Sequence, residues 1–272
     1  AVNNASKTYG AANPSFSFAS FSGSLAGSDT VADVTGGTGA ASDVAYTTSV
    51  TTTSNAGTYT NDIGITAGSL DGSKAGNYAI TIDAGDFTVG KATLTATADD
   101  KAKVYGDSNP ALTVSYTGFV GGDTAAVLDT AASASTAATA SSNVGTYAIT
   151  ASGGSDNNYA FAYNNGTLTI SQRALTIAVN NASKTYGAAN PSFSFASFSG
   201  SLAGSDTVAD VTGGTGAASD VAYTTSVTTT SNAGTYTNDI GITAGSLDGS
   251  KAGNYAITID AGDFTVGKAT LT

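Results

Sequence analysis

Lys7-Thr8-Tyr9-Gly10-Ala11-Ala12-Asn13-Pro14 returns as Lys103-Val104-Tyr105-Gly106-Asp107-Ser108-Asn109-Pro110, and again as Lys184-Thr185-Tyr186-Gly187-Ala188-Ala189-Asn190-Pro191. Pro14, Pro110 and Pro191 are the only 3 prolines in 272 residues, and all hold this one repeat position, so each marks the same turn. Residues 1–95 recur unchanged as 178–272. A diverged copy lies between them. Its Tyr105 aligns with Tyr9, Asn143-Val144-Gly145-Thr146-Tyr147 with Asn55-Ala56-Gly57-Thr58-Tyr59, and Asn158-Tyr159 with Asn77-Tyr78. The chain is a tandem array of three modules in the order A, B, A.

Composition makes the modules mainly β. All 20 acidic residues are Asp, and Glu, Met, His, Cys and Trp are missing, which removes most good helix formers. Ala, Gly, Ser, Thr, Asn and Asp dominate, with Tyr, Phe, Val and Ile spaced among them, as in short strands joined by tight turns. Without Cys or His there are no disulfides, no thiolate chemistry and no imidazole base or metal ligand. A net charge of −11 without clustered Lys or Arg argues against nucleic acid and anionic membranes as partners. No stretch approaches the roughly 18–20 apolar residues of a membrane span, and the first residues carry no signal-peptide pattern, as in an internal excerpt of something larger.

Each module opens with an apolar alternation, clearest at Leu175, Ile177 and Val179, that leads into the Lys-x-Tyr-Gly stretch as a first strand. In that stretch Gly10, Gly106 and Gly187 supply a backbone conformation closed to larger residues, the proline fixes the lead-in to strand two, and Tyr9, Tyr105 and Tyr186 close one end of their own cores. Module B then alternates through Leu112, Val114 and Tyr116, whereas module A has Phe16 and Phe18 and shifts phase to Phe21. The extra residue predicts a β-bulge near Ala19–Ser20. Asp29 and Asp123 are placed to cap a short helix. Strand three reads Val44, Tyr46, Thr48 and Val50 in module A, while module B has only small residues over most of 131–140 and a thinner core. Strand four carries Tyr59, Ile63 and Ile65, or Tyr147 and Ile149. Strand five carries Tyr78, Ile80 and Ile82, or Tyr159, Phe161 and Tyr163, and the last strand Phe87 and Val89, or Leu168 and Ile170.

The last strand meets the next module through only Gly90-Lys91 or Ser171-Gln172-Arg173, too short for a flexible tether. The apolar phase flips there, from Leu168 and Ile170 to Leu175, Ile177 and Val179, so the chain changes the face it buries. The predicted modules are 1–90 (A, its first strand partly missing), 91–171 (B) and 172–267 (A), with 268–272 starting a further one. Strands of eight to ten residues span roughly 30 Å, so three modules joined end to end would form a rod on the order of 100 Å. An immunoglobulin-like sandwich is the favoured module fold, and a β-grasp-like module with one short helix is the alternative.

No catalytic constellation is present. Asp83, Asp86, Asp99 and Asp100, with Asp123, are the calcium candidates near module junctions, but they lack the dense spacing of a calcium loop, which favours reading them as turn and cap residues. No other cofactor is expected. Asp62 and Asp239 interrupt apolar strands and belong on a solvent face or a bulge. Recurrent tyrosines invite a carbohydrate-stacking reading, but their fixed module positions favour packing. In Gly-Thr-Tyr, Tyr59, Tyr147 and Tyr236 match the corner residue whose hydroxyl bonds back to the chain. A crosslink from Lys7, Lys103 or Lys184 to an Asn has no catalytic acid to support it.

From Lys103 to Asp123 the pattern Lys-x-Tyr-Gly-Asp-x-Asn-Pro-Ala-Leu-x-x-x-Tyr-x-Gly-Phe-x-x-Gly-Asp resembles the MBG and YDG repeat modules of large bacterial surface adhesins, including filamentous-haemagglutinin-like exoproteins. Module A departs from it, with Ala11 for the Asp and Ser24 for Phe119. The resemblance implies a secreted or cell-surface protein with a stalk or adhesive role and no catalytic residues. The expected partners are neighbouring repeats, with surface glycan or protein met through other domains, and the chain itself is expected to be monomeric. The rival reading is a repeat that binds glycan, matrix protein or another cell by avidity.

Overall fold

The computed structural model describes residues 1–19, 21 and 23–272, as two compact units. The units do not follow the repeats. The first comprises residues 1–98, 113–134 and 150–164, and the second residues 99–112, 135–149 and 165–272.

In the first unit a four-stranded sheet runs in the order Ala5–Thr8, Gly85–Gly90, Gly57–Ile65, Tyr46–Thr47, and a three-stranded sheet in the order Tyr159–Asn164, Ala92–Ala98, Val114–Thr117. Period-two alternation sets which side chains turn inward. Phe87 and Val89 are buried on Gly85–Gly90, and Ala92, Leu94, Ala96 and Ala98 on Ala92–Ala98. The phase change at Gly90-Lys91 is thus a change of sheet. Val2, Val50, Ile63, Phe87 and Val89 form the core of the four-stranded sheet, with Phe16, Tyr46 and Tyr59 packed around them. Ile63 and Phe87 are fully buried, each contributing roughly 1.5–3 kcal/mol.

The second unit holds most of one sheet of the middle repeat, with Lys101–Val104, Gly166–Ser171 and residues 145–149 as neighbouring strands. It also holds both sheets of the last repeat. Those run Phe195–Ser199, Arg173–Val179, Tyr255–Asp260 and Ala182–Thr185, Gly262–Gly267, Gly234–Ile242, Tyr223–Thr224. Ile177 and Val179 of one sheet share a core with Ile240, Phe264 and Val266 of the other, so this repeat is a two-sheet module. Each of its sheets is mixed. Arg173–Val179 is parallel to Tyr255–Asp260 and antiparallel to Phe195–Ser199, and Ala182–Thr185 is parallel to Gly262–Gly267. The helical element is the five-residue Val31–Thr35 or Val208–Thr212 in the outer repeats, and one 3-10 turn, Ala125–Val127, in the middle one, too short to cover a sheet.

The predicted bulge site includes Ser20, which lies outside the described residues. In the identical later copy the pairing steps from Ala178↔Ser197 to Val179↔Phe195, which leaves Ala196, the counterpart of Ala19, as the extra residue. A second irregularity falls between Tyr59 and Ile63, where Asn61 takes φ 52° and its N–H donates to Asp86 Oδ1 at 2.9 Å. Asp62 sits in this bulge. It accepts from the Thr48 and Ser49 hydroxyls and from the Ser49 N–H at 3.0 Å, and these interactions end strand three after Thr47. Burial pushes the Asp62 carboxyl up, but the bonds from Ser49 and Thr48 outweigh it and hold it below its ordinary value.

Candidate functional site

The Lys-x-Tyr-Gly-x-x-Asn-Pro stretch works in two directions. Its Lys and Asn fasten the repeat internally. Lys103 Nζ donates to the Asp107 and Thr139 carbonyls at 3.0 and 2.6 Å, and Asn109 Nδ2 to the Ala138 carbonyl at 2.6 Å. Lys7 and Asn13 hold the Thr51 and Val50 carbonyls in the same way, and Lys184 and Asn190 hold those of Thr228 and Val227. Pro14 and Pro191 are exposed and Pro110 is half-buried at the turn that follows.

The tyrosine reaches beyond its own repeat. Tyr9 Oη donates to Asp123 Oδ2 of the middle repeat at 3.0 Å, and Tyr159 Oη donates to the same oxygen at 2.7 Å. The Tyr9 and Tyr159 rings meet edge to face with centroids 5.5 Å apart. The next junction repeats the arrangement. Tyr105 and Tyr255 donate to Asp206 Oδ2 at 2.9 and 2.7 Å, with centroids 5.6 Å apart. Tyr9 packs against its own core of Val2, Val50, Ile63, Phe87 and Val89, as expected, and also against Ala92, Leu94 and Tyr159 of the middle repeat, so it closes its core at a junction where the following repeat places a carboxylate and an aromatic edge within reach. Exposure follows the partner. Tyr105 is 1% exposed, whereas Tyr186 is 47% exposed.

Asp29, Asp123 and Asp206 are likewise not helix caps. Thr30 and Thr207 take that place, each donating its N–H to the following aspartate, Asp33 or Asp210, at 2.8 Å, and Thr124 caps the 3-10 turn. The freed carboxylates belong to a recurring group in which a tyrosine hydroxyl donates to the Asp and accepts a backbone N–H: Tyr78 from Ala26, Tyr159 from Val120, and Tyr255 from Ala203. The outer repeats add a lysine, Lys74 to Asp29 and Lys251 to Asp206, the latter at 3.0 Å. Asp206 has a side chain only 6% exposed. Burial raises its carboxyl pKa, but bonds from Tyr255, Lys251 and Tyr105 prevail and hold it below the usual carboxylate range. Tyr159 and Tyr255 are pushed up to about 12, first by burial and then by donation to a carboxylate.

Gly10 and Gly106 stand beside their tyrosines at φ 81° and 86°, and a Cβ on either would lie 2.4 Å from Val120 or Ala203 of the next repeat. Gly187, at φ 82°, has nothing within 4 Å of such a Cβ. A pair of asparagines completes each junction: Asn158 accepts from the Ala56 N–H at 2.8 Å and donates to Asn55 at 3.1 Å, and Asn254 does the same with Val144 and Asn143, both at 2.9 Å. Arg173 ties the second junction further, donating to Asp107 at 3.0 Å and to the Tyr105 carbonyl at 3.2 Å.

Tyr59, Tyr147 and Tyr236 each donate back to the carbonyl four residues earlier, at 2.9–3.0 Å. The calcium candidates are not brought together with a third acidic ligand: among the described residues no group of three or more His, Cys, Asp or Glu side chains forms a metal cluster. Asp86 and Asp100 accept backbone N–H groups of Asn61 and Thr167, and the Asp83 carbonyl accepts from Val2.

Tandem β modules that each hand a tyrosine to the next define a repeat protein whose recurring signature is the Tyr-Gly pair. The chain belongs to the YGX-type MBG domain family, whose model matches residues 1–88, 94–169 and 175–265. No curated protein sequence matches the chain. MBG domains occur in surface adhesins. Among the described residues no helix is long and apolar enough to cross a membrane.

Proposed function

We propose that these repeats are spacer modules of a bacterial surface or secreted adhesin, which hold a binding domain carried elsewhere at a set distance from the cell. One observation carries this reading: both junctions are held by the same tyrosine-aspartate-tyrosine clamp, so the chain spends its most specific chemistry on fixing one repeat to the next. A linker that only tethered its neighbours would need none of it. The rival role, direct binding by avidity, calls for an exposed aromatic face. The large apolar side chains exposed among the described residues are Val127, Tyr163, Tyr186 and Leu271, and Tyr163 stacks on Phe161. The remaining junction tyrosines are turned into clamps. No catalytic step is assigned to the repeats.

The test is a binding screen of the three-repeat chain against immobilised glycans and matrix proteins. The spacer reading predicts no saturable binding. Saturable binding that is lost on replacing Tyr163 would transfer the repeats to the adhesive class.

A further inference from the structure

The two junction clamps share their tyrosines and aspartate but not their charge. In the second, Lys251 Nζ donates to Asp206 Oδ1 at 3.0 Å and to the Tyr105 hydroxyl at 3.4 Å. Lys251 stands four residues before the clamp tyrosine Tyr255, and the same spacing before Tyr78 gives Lys74, whose ammonium holds Asp29. Four residues before Tyr159 the middle repeat has Ser155. The Ser155 N–H donates to the Thr130 carbonyl at 3.0 Å, much as that of Lys251 donates to the Asp210 carbonyl at 2.8 Å. The first clamp also has a second carboxylate, Asp156, where the last repeat has Ala252. Asp156 is 9% exposed, and its Oδ1 accepts from the Asn158 and Tyr159 N–H groups at 2.7 and 3.1 Å. Lys91 Nζ donates to the Asp156 backbone carbonyl at 2.8 Å. Ion pairs among the described residues join Lys74 to Asp29, Arg173 to Asp107 and Lys251 to Asp206, so neither Asp123 nor Asp156 has one. Burial and the Asp123 hydrogen bond, then the charges of Asp123 and Asp156, push the Tyr9 hydroxyl up, whereas at Tyr105 the upward push of burial and Asp206 is opposed by Lys251.

We infer that the first junction binds a monovalent cation of ammonium size, such as potassium, at Asp123 Oδ1 and the Tyr9 hydroxyl oxygen, the counterparts of the two atoms that hold Lys251 Nζ in the second. The tyrosines leave the same atoms open in both clamps. Tyr159 Oη and Tyr255 Oη each donate to the carboxylate's Oδ2 and accept a backbone N–H, from Val120 and Ala203. Tyr105 Oη donates to Oδ2 and accepts from Lys251, so the matching lone pair of Tyr9 faces a cation. Lys251 shows what this pair of oxygens takes: a single charge at 3.0 and 3.4 Å, longer than the roughly 2.3–2.6 Å of calcium coordination. One carboxylate oxygen and one phenol oxygen are also too few for calcium, which draws on six to eight oxygens, commonly several of them carboxylate. Asp156 favours occupancy through its charge, since a buried carboxylate without a counter-charge is costly. The second junction carries its own ammonium, so the first is the one that answers to ions in the medium.

The experiment melts the full chain in potassium chloride and in tetramethylammonium chloride, whose cation is too bulky for such a site, at one ionic strength so that general screening is held constant. The parent chain melts at least about 2 °C higher in potassium, along a curve that saturates with concentration as for a ligand of the folded state. Ser155→Lys supplies a tethered ammonium and melts alike in the two salts. Lys251→Ser, which removes the ammonium from the second junction, responds to potassium more than the parent does. Equal melting of the parent in both salts overturns the inference, as does a potassium response that survives in Ser155→Lys. So does a Lys251→Ser response no larger than the parent's, a result that decides the matter even where Ser155→Lys fails to fold.

Discussion

The hydroxyl of Tyr105 lies 2.9 Å from Oδ2 of Asp206, 101 residues further along the chain. That oxygen also accepts from Tyr255, while Lys251 takes the other oxygen of the carboxylate. The carboxylate thus has each of its oxygens bonded and is nearly removed from water, a state that is stable only with every partner in place.

Removing the tyrosine exposes that dependence. Tyr105→Ala deletes a buried ring and one of the carboxylate's donors and is expected to cost about 3–5 kcal/mol. Tyr186→Ala removes the same residue type from the same motif where it is 47% exposed, and is expected to stay within about 0.5 kcal/mol. Chemical denaturation of the two variants against the parent chain measures the difference, and equal costs would remove the junction from the account.

The neighbouring glycine gives a second pairing of this kind. Both Gly106 and Gly187 have positive φ, but only at Gly106 does a Cβ meet another repeat, 2.4 Å from Ala203. Gly187→Ala should cost about 1–2 kcal/mol from backbone conformation alone. Gly106→Ala should cost about 1–3 kcal/mol more from overpacking. Thermal melts of the two single variants separate these terms.

Alkali should open the clamps. Tyr159 and Tyr255 have folded values of about 12 against an ordinary value of 10.0. The raised value means the protonated hydroxyls contribute stability that is fully present below pH 10 and is lost as pH rises through about 12. Ultraviolet titration should show late-ionising tyrosines among the 13, and their ionisation should coincide with loss of near-ultraviolet dichroism. Asp206 acts at the other end of the scale: its value is depressed, so its contribution is present above the ordinary carboxylate range and fades as pH falls below it.

Calcium is expected to leave stability unchanged. Asp86 and Asp100 already accept backbone N–H groups, at 2.9 and 2.7 Å. Melting in excess calcium and in chelator should agree within error, and a rise of several degrees with calcium would assign these residues a metal after all.

Much of this was legible in the sequence because it is local. The repeats, the strand alternation and the phase flip after Ile170 are set by neighbouring residues, and the flip matches the passage from Gly166–Ser171 to Arg173–Val179 in a different sheet. The clamp was not legible because Tyr9 and Asp123 are 114 residues apart and an Asp beside Thr reads locally as a cap. A signal was present: Asp29, Asp123 and Asp206 recur in step with Tyr78, Tyr159 and Tyr255. Residues 78–83 mark the limit of local reading, since the same six residues form a strand at 255–260 only where a partner strand lies beside them.

The central claim is that the clamp fixes adjoining repeats in one arrangement. The chain has no cysteine, so spin labels can be placed at exposed Ala137 of the middle repeat and exposed Ser219 of the last. Double electron–electron resonance between them should give a single narrow distance distribution that broadens markedly in Tyr105→Ala. A broad distribution in the parent chain, or one that Tyr105→Ala leaves unchanged, would contradict it.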